Sequence, residues 1–115
     1  MTPTLGSEVL DRALAERTQA NDSFFEAESG RLAQLCHRMA ERFARGGRLI
    51  AVGRTPAARS DARHVAVEFV HPVIVGKRAL PALALAGEGG PLAGQIELAA
   101  EPGDIVIAFG TRDDG

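Results

Sequence analysis

Three polar side chains share one face of a predicted helix that follows a buried strand. His64 and Glu68 lie four residues apart, so both can reach one point above the helix, and Asp61 lies one turn earlier. An imidazole and a carboxylate are competent ligands for a divalent metal, and a carboxylate can also act as a general base. The alternatives are a solvated His–Glu hydrogen bond and, for Asp61, a favourable contact with the helix dipole in place of orienting His64.

The turn that begins this helix has the features of an anion site. It offers two guanidiniums, Arg54 and Arg59, and two hydroxyls, Thr55 and Ser60. A helix N-terminus adds free N–H groups and the positive end of the dipole. A solvated basic turn, or a salt bridge to a neighbouring subunit, fits the same residue types equally well.

The elements that must position these side chains alternate between short apolar runs and helical patterns. Buried strands are predicted at 49–52, 80–86 and 105–109, with helices at 55–70 and 91–100 between them. Crossovers of this length predict an α/β fold with a right-handed parallel sheet. A parallel sheet of three strands is small, so we expect further chain or other subunits to complete it.

The N-terminal region reads as two amphipathic helices. Ser7 is a plausible N-cap for the first, and Asn21-Asp22-Ser23 interrupts the pattern before a second helix that runs to about residue 45. The predicted organisation is therefore 1–46 as N-terminal amphipathic helices and 47–115 as the α/β core.

Composition narrows the function classes. The net charge of −2 and the lack of Trp and Tyr argue against a nucleic-acid ligand. No apolar run approaches the ~20 residues of a membrane span, and the first residues do not form a signal peptide. The single cysteine, Cys36, excludes an internal disulfide, so we expect a cytoplasmic protein with no membrane partner.

Residues 22–110 resemble the N-terminal part of the phosphoheptose isomerases, members of the SIS (sugar isomerase) superfamily. The resemblance is carried by Asp61-x-x-His64-x-x-x-Glu68 and by Arg78-Ala-Leu-Pro-Ala, with a Pro-Gly-Asp turn at 102–104. It implies a short, parallel-sheet SIS-like fold of the flavodoxin or Rossmann type in three layers. It also implies a homo-oligomer, a dimer or tetramer built through the N-terminal helices. It also implies binding of a sugar phosphate and aldose–ketose isomerisation of sedoheptulose 7-phosphate.

The resemblance also implies roles for the polar residues. Glu68 would be the catalytic base and His64 its acid partner, and both are candidate zinc ligands. Asp61 would orient the His64 imidazole through a hydrogen bond. The phosphate would be held by the residues of the helix-start turn and by one hydroxyl after the third strand: Arg54, Thr55, Arg59, Ser60 and Thr111.

Departures from the family pattern leave two functions open. The family's first phosphate loop is usually Asn-Gly-Gly-Ser, whereas this chain has the turn at 54–60. The family's remaining zinc ligands, a Gln and a His, lie in a C-terminal half that we expect to be missing here. The chain is then either a sugar-phosphate isomerase or a catalytically incompetent SIS-like module that acts in protein assembly or regulation.

Overall fold

The computed structural model describes residues 5–86 and 90–112, which fall into two compact units, Met1–His37 and Arg38–Gly115. The first unit is helical, and the second contains the sheet with its covering helices. Among the described residues, no helix combines the length and the apolar character that a bilayer crossing requires.

A single helix, α1, spans Leu5–Ala44 and corrects the prediction of two N-terminal helices. Asn21-Asp22-Ser23 lies inside it, and Ser7 is within the helix and not its N-cap. Each of these polar residues costs at most ~0.7 kcal/mol in a helix interior, and neither Gly nor Pro is among them. The helical pattern on both sides therefore continues through the polar segment.

Three parallel strands form one sheet in the order β2-β1-β3, which confirms the predicted parallel α/β fold. Strand β1 is Leu49–Gly53, β2 is Ala82–Leu85 and β3 is Ile105–Phe109. The central β1 is buried along its whole length, whereas β2 and β3 are partly exposed. The expectation of cover on both faces therefore holds only for β1.

Helix α2, Pro56–Val70, is the β1–β2 crossover that positions the candidate site. Its predicted start is confirmed, because the Thr55 hydroxyl accepts a hydrogen bond from the Ala58 N–H at 3.1 Å. The helix buries three alanines one turn apart, and their small side chains allow its backbone to lie close to the sheet. Helix α3, Leu92–Ala99, then leads from β2 to β3.

An ion pair ties β1 to β3 at the amino ends of the strands. The Asp104 carboxylate contacts the Arg48 guanidinium at 2.7 Å. It also accepts hydrogen bonds from the backbone N–H of Arg48 at 2.8 Å and from that of Glu101 at 2.9 Å. Together these hydrogen bonds lower the pKa of Asp104 to about 2, and the one from the Arg48 side chain has the largest effect. The same contact raises the pKa of Arg48.

Candidate anion cleft and His–Glu pair

A cleft of about 410 Å³ opens at the carboxyl ends of β1 and β2. Arg54 and Arg59 both line it, so the structure brings two of the residues predicted for the anion site to one cleft. Its other walls come from the end of β2 and the start of α3. Two guanidiniums beside one opening form an arrangement that suits a phosphate or carboxylate.

The local sequence explains why these two arginines meet. Gly53 ends β1 where α2 passes so close that an added Cβ would lie 2.5 Å from the Ala58 carbonyl carbon. Thr55 and Pro56 then start the helix, and Arg59 follows within its first turn. The tight strand-to-helix turn therefore places Arg54 and Arg59 around one helix start.

The predicted hydroxyls do not join the arginines. Thr55 accepts the capping hydrogen bond, Ser60 is exposed, and neither lines the cleft. Thr111 follows β3, on the other side of the central strand from β2, and does not line the cleft either. The phosphate set predicted from the sequence is thus divided, and only Arg54 and Arg59 share the cleft.

Sequence reasoning missed the cleft's second wall, formed by Leu85 and Gln95. The Gln95 amide donates to the Gly90 carbonyl at 2.7 Å, which fixes the side chain at the start of α3. Gln95 lines the cleft together with the arginines, and an amide side chain can donate to or accept from hydroxyls. The predicted helix start at Pro91, directly after the second strand, was the signal that could have located it.

His64 and Glu68 contact each other as their spacing predicts. Their Nε2 and Oε1 atoms are 3.3 Å apart, and the side chains are 74% and 48% exposed. Asp61 is also exposed, and among the described residues no hydrogen bond joins it to His64. The pair is thus formed, while the predicted orienting contact from Asp61 is not present.

The His–Glu pair lies on a different side of α2 from the cleft. Successive helical residues are turned by ~100°, so His64, five positions after Arg59, is turned from it by roughly 140°. Glu68, nine positions after Arg59, is turned by roughly 180°. Neither residue lines the cleft. One copy of the chain therefore presents the anion cleft and the His–Glu pair as two separate features.

The donor set at the pair does not form a zinc site by itself. A catalytic zinc takes three protein ligands, and His64 with Glu68 supplies two. Across residues 5–86 and 90–112, no three His, Cys, Asp or Glu side chains are grouped for metal binding. Zinc bound at this pair would need a ligand from elsewhere, so the predicted zinc site stays a prediction.

The comparisons with known proteins find relatives in the family that the sequence resembles. A phosphoheptose isomerase of Desulfovibrio desulfuricans is 32% identical over 78% of this chain and 49% of the relative. The chain resembles phosphoheptose isomerases. Another, from a Roseiflexus strain, is 32% identical over 75% of this chain and 50% of the relative. A third, from Nitratidesulfovibrio vulgaris, is 28% identical over 96% and 59%. No protein-family model matches the chain.

The chain spans about half the length of the curated relatives that it matches. The likeness therefore leaves about half of each of these relatives without a counterpart in this chain. What a complete phosphoheptose isomerase does is not carried over by the likeness alone.

Proposed function

We propose that this chain binds a sugar phosphate of the phosphoheptose type, with the phosphate in the cleft beside Arg54 and Arg59. The observation that carries the proposal is that Arg54 and Arg59 both line one cleft at the carboxyl ends of β1 and β2, in a chain that resembles phosphoheptose isomerases. Open α/β sheets bind ligands at this end of their strands. Gln95 also lines the cleft, and an amide side chain is suited to sugar hydroxyls.

A titration tests the binding step. We expect inorganic phosphate and sedoheptulose 7-phosphate to bind with heat detectable by calorimetry, and Arg59→Gln to weaken both. A charge-assisted hydrogen bond is worth ~1.5–3 kcal/mol, so the loss should be about 10- to 100-fold. Arg45→Gln is the matched control, because it removes the same charge from an exposed position that precedes β1. Equal binding by Arg59→Gln and the wild type would contradict the proposal.

Isomerisation is the further step that the resemblance supports. Exchange between an aldose and a ketose moves a proton between C1 and C2 through an enediol, which requires a base at the carbon that loses the proton. We propose Glu68 as this base, with His64 holding the carboxylate through their 3.3 Å contact and acting as the proton partner at the oxygen. Sugar and base must be brought together by a second chain or by a longer polypeptide, because the cleft and the pair lie on different sides of α2.

Proton exchange tests this chemistry directly. Sedoheptulose 7-phosphate is incubated with the protein in D₂O, and deuterium at C1 is followed by NMR. We expect wild-type exchange at a measurable rate and a loss of at least 100-fold in Glu68→Gln, since general base catalysis contributes ~10²–10⁴-fold. Wild-type exchange that Glu68→Gln leaves unchanged would remove Glu68 as the base.

A second candidate function is a sugar-phosphate-binding module without catalysis, acting in assembly or regulation. The separation of the His–Glu pair from the cleft favours it, as does the missing third metal ligand within the described residues. Phosphate binding that depends on Arg59, combined with no deuterium exchange in the wild type, would select this function over the isomerase.

A further inference from the structure

The outer edge of β2 carries main-chain groups that no described residue pairs. Among the described strands β2 pairs with β1 alone, so its other side is an open sheet edge. The Pro81 carbonyl accepts a hydrogen bond from the Leu49 N–H at 2.9 Å, so Pro81 is turned towards β1. Because successive residues of a strand direct their N–H and C=O groups to opposite sides, Ala82 and Ala84 direct theirs outwards. In residues 5–86 and 90–112 these outward groups have no hydrogen-bonding partner.

A cation from α2 stands at the carboxyl end of this edge. Ala86 directly follows β2, and its carbonyl accepts a hydrogen bond from the Arg63 guanidinium at 3.0 Å. The Arg63 side chain therefore reaches across from the helix to the end of the strand. The outward groups of Ala82 and Ala84 lie between this guanidinium and the beginning of β2.

An apolar groove runs beside the open edge, between β2 and α2. Its volume is about 380 Å³, and its lining is apolar except for Arg63 and His71. Val67 is 53% exposed at this groove, although it lies on the helix that covers the sheet. We call it the β2–α2 groove, and its apolar walls are Ala66, Val67 and Val70 of α2 and residues 82–84 of β2.

We propose that an extended segment of another protein adds to the sheet as a strand at the outer edge of β2. Its main chain pairs with Ala82 and Ala84, and every second side chain, which is apolar, fills the β2–α2 groove. An acidic side chain of the segment faces Arg63, since opposite charges across a contact select the partner. In this mode of recognition the main-chain hydrogen bonds supply affinity and the pockets for alternate side chains supply specificity.

The open main-chain groups favour a strand over a helix as the occupant. A helix pairs its own N–H and C=O groups, so it would leave those of Ala82 and Ala84 without water and without a partner. An extended segment pairs them and fills the groove at the same time. The proposal is independent of sugar-phosphate binding, because the β2–α2 groove and the arginine cleft share no lining residue.

A labelled synthetic peptide of eight residues tests the proposal, with binding to the full chain followed by fluorescence anisotropy. The peptide alternates threonine and valine between two terminal aspartates, so either direction of pairing brings an acid to Arg63. Two further peptides carry N-methyl groups, one on each alternate set of amides. Only one set points to β2 in an added strand. We therefore expect one N-methylated peptide to bind at least tenfold more weakly and the other to bind within about threefold of the parent.

Substitutions in the chain test where the peptide binds. Val67→Asp puts a charge in the groove and should weaken binding at least tenfold. Leu98→Asp is the matched control, since Leu98 lies on α3, is 91% exposed and does not line the groove. Both side chains are more than half exposed, so far-UV circular dichroism should be unchanged in both variants.

The acidic side chain of the partner is tested by exchanging the aspartates of the peptide for asparagines. This change should weaken binding to the wild type severalfold, because Arg63 loses its opposite charge. The same change should have a smaller effect on binding to Arg63→Gln. An equal effect on the wild type and on Arg63→Gln would contradict the placement of the acid.

Three other results would overturn strand addition. These are no binding of the parent peptide up to about 1 mM chain, two N-methylated peptides that bind equally well, and Val67→Asp that binds as well as Leu98→Asp. Self-association of the wild-type chain that Val67→Asp abolishes would show that a second copy occupies the edge instead.

Discussion

Replacing Gly53 with alanine should destabilise the protein, because the end of β1 has no room for a side chain. A Cβ at this position would lie 2.5 Å from the Ala58 carbonyl carbon and 2.7 Å from both the Ala58 oxygen and its Cβ. Two of these three atoms belong to the backbone of α2, so rotation of a side chain cannot relieve the contact. The helix must move away from the sheet.

The expected magnitude follows from two opposing terms. Overpacking a tight site costs ~1–3 kcal/mol, and the backbone contact at Gly53 favours the upper end of that range. Alanine has less conformational freedom than glycine in the unfolded chain, which raises the free energy of unfolding by ~0.4–1 kcal/mol. We therefore expect Gly53→Ala to lower the free energy of unfolding by about 2 kcal/mol.

Gly94 offers a matched control within the same unit. It lies in α3, and an added Cβ there meets nothing within 4 Å. The same substitution should raise the free energy of unfolding by up to ~1 kcal/mol, because alanine is the better helix former. The two variants carry identical chemistry and should change stability in opposite directions.

Urea unfolding followed by far-UV circular dichroism measures both variants. A shift of the midpoint at constant slope reports the change in stability. If Gly53→Ala stays within 0.5 kcal/mol of the wild type, as surface substitutions usually do, the close crossing of α2 over β1 is wrong. The placement of Arg54 and Arg59 around the cleft would then lose its structural basis.

Three further substitutions test the frame around the cleft. Asp104→Asn should lower the melting temperature at pH 7, and thermal scans should show this difference shrinking as the pH falls from about 4 towards 2. The pKa of Asp104 is about 2 in the folded chain and 3.8 ordinarily, so the charged carboxylate stabilises the fold above pH 3.8. This stabilisation is lost as the pH falls through the folded pKa and the carboxylate is protonated. Thr55→Ala should cost ~0.5–2 kcal/mol in urea unfolding, because the Ala58 N–H loses its capping partner. Leu49→Ala should cost ~2–5 kcal/mol in the same assay, since Leu49 is fully buried in the central strand.

Local patterns were sufficient for the sheet and for the start of α2. The run Ile105–Phe109 is entirely apolar and forms β3 with the predicted bounds. Thr55 and Pro56 form the helix start that their types favour. In both cases the nearest few residues contain the physical cause, so the sequence alone was adequate.

Local sequence patterns were not sufficient to predict the length of α1. Asn21-Asp22-Ser23 resembles a helix boundary because its side chains favour turns and caps. Whether the chain breaks there depends on the sum of small propensities over many residues and not on the three polar ones. The structure shows that the sum favours a continuous helix of 40 residues.

The sequence was sufficient to predict the arginines of the cleft but not the residues of its other wall. Arg54 and Arg59 are close in sequence, so a helix start brings them together. Gln95 comes from a separate crossover, and its position depends on how α3 begins after β2. The motif containing His64 and Glu68 gave their mutual contact, but it carried no information on which side of α2 the anion cleft would open.

The arginine cleft also lies away from the switch point of the sheet. Open α/β sheets bind ligands at the switch point, where successive crossovers leave a strand in opposite directions. In the order β2-β1-β3 this point lies between β1 and β3, whereas the arginine cleft lies between β1 and β2. His64 and Glu68 are turned away from that cleft, on the other side of α2. A ligand held by the arginines and a reaction at the His–Glu pair therefore require two places on the molecule. Isomerisation as proposed above therefore needs a second chain or a longer polypeptide to bring the ligand to the pair.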